Sequence, residues 1–194
     1  MIDFKRQMEE YINTEIEVTK ALNLDEINEA VNAIVDCRNR GGTVFTMGNG
    51  GSASTASHFV CDFSKGLSEE VGGRKFVFQC LSDNVATMMA VANDFSYDEI
   101  FKYQLERRLT SDDLIIAISG SGNSMNVIRA VEYAKEVGTK VVGVTGYKGG
   151  KLKELADFHM HVNIEDMQIA EDVHMMFDHM LMRVISLVLS EEKK

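Results

Sequence analysis

The sequence predicts an α/β fold with a mainly five-stranded parallel sheet, doubly wound with helices on both faces. Short β-rich runs alternate with segments of helical periodicity, which is typical of βαβ units. Two neighbouring parallel strands must be joined by a crossover connection, and this connection is usually an α-helix. The length of 194 residues suits one compact domain, so 1–194 is expected to be a single domain.

The first 40 residues are predicted to form two helices ahead of the α/β core. Apolar residues at helical spacing indicate an amphipathic helix over residues 3–21. A second helix, about 25–39, is expected to begin at Asp25 as N-cap and to end before Gly41. The core is then expected to occupy 41–194.

The strands of the core follow from short β-rich runs. The predicted strands are 43–47, 75–81, 114–118, 141–145 and 158–162. A helical stretch is expected to follow the first strand to about Lys65, and a long helix to cover about 167–189. The last four residues are expected to be a frayed, solvated helix end.

Composition excludes several function classes. The formal net charge of −10 argues against a nucleic-acid partner, because phosphate backbones require clustered lysine and arginine. Residues 1–5 are not expected to belong to a signal peptide, and no apolar run is expected to approach the length of a membrane span. Cys37, Cys61 and Cys80 follow no metal-ligand spacing, and an odd count indicates free thiols. The prediction is a cytoplasmic protein without a membrane or nucleic-acid partner.

Two polar loops follow the first and third predicted strands. Ligands of doubly wound sheets bind beyond the carboxyl ends of the strands, at the switch point. The first loop, 48–52, has the sequence Gly-Asn-Gly-Gly-Ser, which lets the backbone approach a ligand near a helix N-terminus. The same composition suits a tight turn, and this loop alone leaves both interpretations open. It matches neither the dinucleotide-binding fingerprint nor a P-loop, so no nucleotide cofactor is expected.

The loop after the third strand, 119–124, offers the hydroxyls of Ser119, Ser121 and Ser124 before a helix. Hydroxyl and N–H groups without a lysine or arginine suit a phosphate monoester better than a metal-bound triphosphate. The alternative is a serine-rich capped turn. Two such loops at one sheet edge favour a phosphate site.

His58 and Asp62 are spaced i, i+4 on the helix after the first loop, so they share one helix face. Such a pair suits proton transfer near neutral pH. The spacing alone favours the alternative, an ordinary helix face with a capped histidine and a solvated carboxylate.

Taken together, these elements resemble the SIS (sugar isomerase) domain family, in particular its phosphoheptose isomerases. The resemblance covers nearly the whole chain in order and rests on 48–52, His58, 92–95, 119–124, Thr145, Gly146, 149–152, His174 and His179. It implies interconversion of a ketose phosphate and an aldose phosphate, typically sedoheptulose 7-phosphate with a mannoheptose 7-phosphate, through an enediol. It also implies a homotetramer with sites at subunit contacts, and zinc in some members.

The resemblance assigns roles to individual residues. Asp62 falls where the isomerases carry a catalytic glutamate, and His179 where they carry the second catalytic group. The substrate-binding positions are Asn49, Gly50, Gly51, Ser52, Asp94, Ser119, Ser121, Ser124 and Glu171.

The candidate ligands of Zn²⁺ are His58, Asp62, Glu171 and His179. Glu171 stands where the family has a glutamine. It lies eight residues before His179, about 12 Å along one helix. Either Glu171 precedes the regular helix, or the ligands come from different subunits.

Two departures from the family pattern bear on the substrate. Asp62 replaces a glutamate and has a shorter reach, and Gly66 stands at the position of a family arginine, with Lys65 one residue early. The enzyme could therefore act on another sugar phosphate. The alternative function is a non-catalytic SIS module that senses a sugar phosphate or binds a protein partner. The joint presence of His58, Asp62 and His179 favours the enzyme.

Overall fold

The computed structural model describes residues 2–191. Met1 lies outside the described residues, as do residues 192–194, which are most of the helix end that was expected to be frayed. The helices are α1 (Lys5–Lys20), α2 (Leu24–Arg40), α3 (Gly51–Cys61), α4 (Ser68–Val71), α5 (Val85–Asp94), α6 (Lys102–Leu105), α7 (Met125–Val137), α8 (Gly150–Leu155) and α9 (Met167–Glu191). The strands are β1 (Val44–Met47), β2 (Phe78–Cys80), β3 (Leu114–Ser119), β4 (Lys140–Thr145) and β5 (Phe158–His161). A π-helical turn, Asp62–Leu67, joins α3 to α4.

All five strands run parallel in the order β2-β1-β3-β4-β5, which confirms the predicted fold class. The chain moves from β1 to one neighbour, β2, and then returns to the other side of β1 for β3. The switch point therefore lies between β1 and β3. In the register of these two strands Met47 pairs with Ala117, so the loops after them open at the same edge.

The core lies on both faces of this sheet, as expected for strands covered twice. All six residues of β3 are buried. On one face, the sheet packs against α2, α3 and α9, with Phe59, Phe63 and Phe177 fully buried. On the other face it packs against α5 to α8, with Leu105 and Val127 among the buried side chains.

The long helix α9 corrects one expectation from the sequence. Met167–Ser190 has the length and composition of a membrane span, with a mean hydropathy of 1.3. The expectation that no apolar run reaches that length is therefore wrong. Val173, Phe177 and Leu181 on this helix are nevertheless buried in the core, which is how the core helix of a globular domain passes the same test.

The N-cap of α2 and the length of β2 differ from the prediction. Asn23, not Asp25, caps α2, because Asn23 Oδ1 accepts hydrogen bonds from the N–H groups of Asp25 (3.1 Å) and Glu26 (3.3 Å). Strand β2 is shorter than predicted. Just before it, the Phe76 N–H donates to the Ser68 hydroxyl (2.9 Å) rather than to a neighbouring strand.

The helical stretch after β1 continues beyond Lys65 through the π-helical turn to Val71. Asp62 is the first residue of that turn. Single π turns inside helices occur frequently at functional sites, because the extra residue changes where side chains point. The turn thus reorients the helix at a predicted catalytic residue.

Candidate active site

The first loop is a tight turn between β1 and α3. Gly50 has a φ of 55°, and a Cβ on Gly48 would lie 2.7 Å from Ser52. Ser82, after β2, holds the loop in place because its hydroxyl donates to Gly48 O (2.9 Å) and accepts from Gly48 N–H (3.2 Å). Sequence reasoning did not single out Ser82, and its position just after a strand end was the available signal.

Asn49 connects the two loops. Its Nδ2 donates to Asn126 Oδ1 (2.9 Å), and its Oδ1 accepts from Asn126 Nδ2 (2.8 Å) and from the Tyr97 hydroxyl (2.9 Å). Asn126 is buried in the first turn of α7, directly after the serine loop. The Asn49 side chain therefore fixes the first loop against the second one.

The serine loop 119–124 is shaped by its backbone. Gly122 has a φ of 68°, and a Cβ there would lie 1.9 Å from the carbonyl oxygen of Gly149. The hydroxyls of Ser119 and Ser124 lie 3.2 Å apart, and Ser121 Oγ accepts from the Asn123 N–H (3.2 Å).

Ser124 is the residue before α7, and its side chain makes no capping hydrogen bond to that helix. A capped turn would use this hydroxyl for the α7 N–H groups. The geometry therefore argues against the capped-turn alternative and is compatible with an anion at the α7 N-terminus.

Four side chains from two distant segments form a compact cluster. His58 and Asp62 come from α3 and the π-helical turn, and Asp178 and His179 come from α9. Each offers one ligand atom, and these atoms all lie within 4.8 Å of one another. The two predicted catalytic residues are close, with His179 Nε2 4.0 Å from Asp62 Oδ2. Below, "the cluster" means these four residues.

His58 lies at the centre of the cluster. Its Nε2 is 3.2 Å from His179 Nε2, 3.5 Å from Asp62 Oδ2 and 3.6 Å from Asp178 Oδ2. The rings of His58 and His179 meet edge to face, with centroids 5.1 Å apart. Nitrogen and oxygen donors thus converge on one small volume.

Asp178 is the member of the cluster that sequence reasoning missed. Its side chain is 0% exposed, and neither oxygen has a hydrogen-bond partner among the described residues. Burial, together with the smaller effect of the charge on Asp62, raises the pKa of its carboxyl to about 7. An aspartate at helical spacing with the buried Leu181 and Ile185 was the signal, because a lone acid on an apolar face requires compensation.

Glu171 does not join the cluster. It lies inside α9, so the interpretation that it precedes the regular helix is wrong. Its carboxylate packs against the first loop, since a Cβ on Gly51 would lie 2.4 Å from Glu171 Oε2. Glu171 is therefore placed beside the predicted sugar loop and not with His58 and His179.

Asp94 and His174, which the sequence also singled out, lie outside the cluster. Asp94 ends α5, is exposed and accepts a hydrogen bond from Asn93 Nδ2 (2.8 Å). His174 is buried, its ring nitrogens have no hydrogen-bond partner among the described residues, and burial lowers its pKa to about 4. His174 is accordingly a neutral core residue.

Two neighbouring cavities connect the first loop to His58. One, of about 540 Å³, is open and is lined by Ala53, Ser54, Ser57, His58, Cys61, Ser82 and Asp83. The other, of about 260 Å³, lies between the first loop and α5. They share Ala53 and Ser82, so a ligand over the first loop extends naturally towards the cluster.

Comparison with known proteins places the chain in a family. The SIS domain profile matches residues 7–146. The chain is 34% identical over 178 residues to the probable phosphoheptose isomerase of Thermoplasma volcanium, covering 92% of this chain and 90% of that protein. It is 38% identical over 176 residues to the phosphoheptose isomerase of Mycobacterium bovis, covering 87% of each.

Solved structures agree with this assignment. The phosphoheptose isomerase from Francisella tularensis superposes with a TM-score of 0.86 at 28% identity, covering 96% of this chain and 100% of that chain. The enzyme from Neisseria gonorrhoeae gives 0.84 at 25% identity, covering 94% and 98%. The chain therefore belongs to the SIS domain family and, within it, to the phosphoheptose isomerase branch.

Proposed function

We propose that this chain is an aldose–ketose isomerase that interconverts sedoheptulose 7-phosphate and a mannoheptose 7-phosphate. Curated relatives that carry the phosphoheptose isomerase name are 32–38% identical to it. The observation that carries the proposal is the close approach of Asp62 and His179 to each other and to His58, which lines the cavity of about 540 Å³. A non-catalytic SIS module has no need for such a pair, so that alternative is not favoured.

The phosphate binds at the serine loop in this proposal. The hydroxyls of Ser119, Ser121 and Ser124 and the N–H groups at the start of α7 supply hydrogen bonds, and the helix dipole favours the negative charge. The residues that hold the sugar are Asn49, Gly50, Gly51, Ser52, Asp94 and Glu171. Asn49 acts chiefly by fixing the first loop, because its amide is bonded to Asn126.

The reaction moves a proton between two adjacent carbons through an enediol. Ionised Asp62 takes the proton from the carbon next to the carbonyl, and His179 exchanges a proton with the sugar oxygens. Placing both groups beside a bound sugar converts the transfer into an intramolecular event, and misplacement by about 1 Å costs roughly 100-fold. The shorter Asp62 therefore demands that the sugar lie closer to α3 than a glutamate would.

Zn²⁺ is the proposed metal, and the donors fit it. The cluster combines imidazole nitrogens with carboxylate oxygens, and Asp178 presents two buried oxygens without a partner among the described residues. His58, Asp62 and His179 would hold the ion. When bound, zinc supplies Lewis acidity towards a carbonyl oxygen.

In this proposal, residues 1–194 form a single SIS domain, and four identical chains assemble into a homotetramer in the cytoplasm. The partner is a sugar phosphate, and neither nucleic acid nor a membrane is bound. None of the residues of α1 is buried. Exposed apolar side chains on α1, on the residue before it and on α9 include Phe4, Met8, Ile12, Ile16, Val184, Leu187 and Val188. Faces of this kind support association of identical chains.

Incubation with a panel of ketose phosphates, followed by NMR, tests the activity. We expect a new aldose phosphate from sedoheptulose 7-phosphate. Conversion of a different ketose phosphate alone would redirect the substrate assignment to that sugar. Absence of any aldose product, with phosphate binding intact, would contradict the isomerase and support the non-catalytic module.

A further inference from the structure

A cavity of about 460 Å³ lies where the connection between α1 and α2 meets β5 and α8. It shares no lining residue with the two cavities beside the first loop. Its volume falls within the range of small-molecule sites, about 300 to 1,000 Å³. The charges on its walls indicate what it binds.

Three titratable side chains line this cavity from three different elements. Glu26 comes from α2, Lys153 from α8 and His161 from β5, and all three are half-buried. Within residues 2–191, neither Glu26 nor Lys153 takes part in a salt bridge, so the two opposite charges do not neutralise each other. Partly desolvated charges of this kind are compensated when a ligand supplies the missing partners.

His161 lies between these two charges in its electrostatic effect. Burial lowers the pKa of its ring, the charge of Lys153 lowers it as well, and the charge of Glu26 raises it. Its Nδ1 is 2.9 Å from the hydroxyl of the buried Thr145. This contact occupies one ring nitrogen and leaves Nε2 for a ligand.

We propose that this cavity is a second binding site, separate from the serine loop, for a sugar phosphate. The phosphate contacts Lys153 and His161, and the sugar hydroxyls donate hydrogen bonds to Glu26. Below, this place is called the α8 site and means these three residues. The proposal does not depend on the isomerase reaction, because binding is measured with a molecule that cannot react.

The two walls of the α8 site favour different parts of such a ligand. The ammonium group of Lys153 is a point charge that suits a phosphate, whereas the carboxylate of Glu26 repels an anion and accepts hydrogen bonds from hydroxyls. A second acid at the cavity, Glu17, is already paired with Lys20 (3.1 Å). Inorganic phosphate satisfies only the cationic wall. An amino-acid zwitterion such as glycine, the competing class, fills much less of the volume.

The α8 site borders the serine loop without being part of it. The stem of Lys153 covers Gly149, since a Cβ on Gly149 would lie 2.5 Å from Lys153 Cδ. The Gly149 carbonyl in turn packs against Gly122, whose own carbonyl accepts from the Leu152 N–H (2.9 Å). One layer of backbone thus separates the two sites, and each has side chains that can be changed independently.

NMR of the histidine rings tests the α8 site, with sorbitol 6-phosphate as the probe. This alditol phosphate has a phosphate and hydroxyls but no carbonyl to isomerise. The ring signal of His161, assigned by its loss in His161→Gln, should shift and saturate. Lys153→Met keeps the stem over Gly149 and removes the charge, so the affinity should fall about 10-fold or more. Lys75→Met is the matched control and should change nothing, because Lys75 pairs with Glu69 away from this cavity.

Two further variants separate the α8 site from the serine loop and define its ligand. The double variant Ser121→Ala with Ser124→Ala should keep the shift of the His161 signal, because neither serine lines this cavity. Glu26→Gln should reduce the preference for sorbitol 6-phosphate over inorganic phosphate, since it removes the charge that repels a bare anion and accepts the hydroxyls.

Circular dichroism verifies folding, and Lys153→Gln replaces Lys153→Met should the latter not fold. The proposal is overturned by a His161 signal that does not shift with saturation, or by equal affinities in the Lys153 and Lys75 variants. It is also overturned by an unchanged preference in Glu26→Gln, by a shift that disappears with the loop hydroxyls, or by glycine acting in place of sorbitol 6-phosphate. A protein that binds the probe at the α8 site and isomerises no ketose phosphate supports it and contradicts only the proposed function.

Discussion

The serine loop and the cluster lie in the same protein, yet they are built in different ways. The loop 119–124 is one continuous segment, and its form is imposed by backbone features such as the positive φ of Gly122. The cluster joins side chains that lie up to 121 positions apart in sequence, such as His58 and His179. One is a property of local sequence, and the other exists only when α3 packs against α9.

This difference separates binding from chemistry. A phosphate can be held by hydroxyls and N–H groups that a single loop and helix start provide. Proton transfer needs groups placed within about 1 Å on different elements, and thus depends on helix packing. Changes in the loop should therefore affect binding or folding, whereas changes in the cluster should affect rate with little effect on either.

The largest effect is expected from the catalytic pair. Asp62→Asn removes the ionised base, and His179→Gln removes the group that exchanges a proton with the sugar oxygens, so each should lower kcat at least about 100-fold. Stabilisation of the protein by inorganic phosphate should remain, because the serine loop is untouched. Steady-state kinetics and thermal unfolding with phosphate measure both. Full activity in Asp62→Asn would leave Glu171 as the carboxylate to examine.

Gly122→Ala should break the loop itself. The substitution combines a positive φ, which costs about 1 to 2 kcal/mol, with an overlap against the Gly149 carbonyl that adds roughly 1 to 3 kcal/mol. Gly138→Ala is the matched control, because Gly138 has a φ of 86° but no atom within 4 Å of the added Cβ. Urea unfolding should show a larger loss for Gly122→Ala. Equal losses would mean that the loop has no tight packing at Gly122.

Removing the loop hydroxyls should affect binding without unfolding. In the double variant Ser121→Ala with Ser124→Ala, the thermal shift caused by inorganic phosphate or a sugar phosphate should disappear, because ligands stabilise only through native-state affinity. Without ligand, the double variant should remain folded but melt somewhat below the unmutated protein, because it loses the contact between Ser124 and Ser119 and the hydrogen bond from the Asn123 N–H to Ser121. An unchanged shift would place the phosphate elsewhere.

The smallest effect is expected at Ser82, which supports the first loop. Ser82→Ala removes two hydrogen bonds to Gly48 and should lower the free energy of unfolding by about 1 to 2 kcal/mol. Ser54→Ala is the control, because Ser54 lines the same cavity but is exposed. Chemical denaturation distinguishes the two, and identical values would show that Ser82 does not stabilise the loop.

The same division explains what the sequence revealed. The parallel sheet, its switch point and both polar loops follow from local periodicity and composition, and the structure confirms the fold class. Asp178 could not be assigned to the site, because its compensating partner His58 lies on another helix. The family resemblance groups Glu171 with the metal ligands, but on α9 Glu171 lies about two helical turns before His179. The π-helical turn at Asp62 likewise depends on packing that no local pattern describes.

The measurement that tests the central claim most directly is isomerisation of sedoheptulose 7-phosphate in D₂O, followed by NMR. Transfer through an enediol predicts an aldose phosphate that carries solvent deuterium on the carbon next to its aldehyde, formed by the unmutated protein and at least about 100-fold more slowly by Asp62→Asn. An aldose phosphate without deuterium at that carbon, formed equally fast by both proteins, would contradict proton transfer by this cluster.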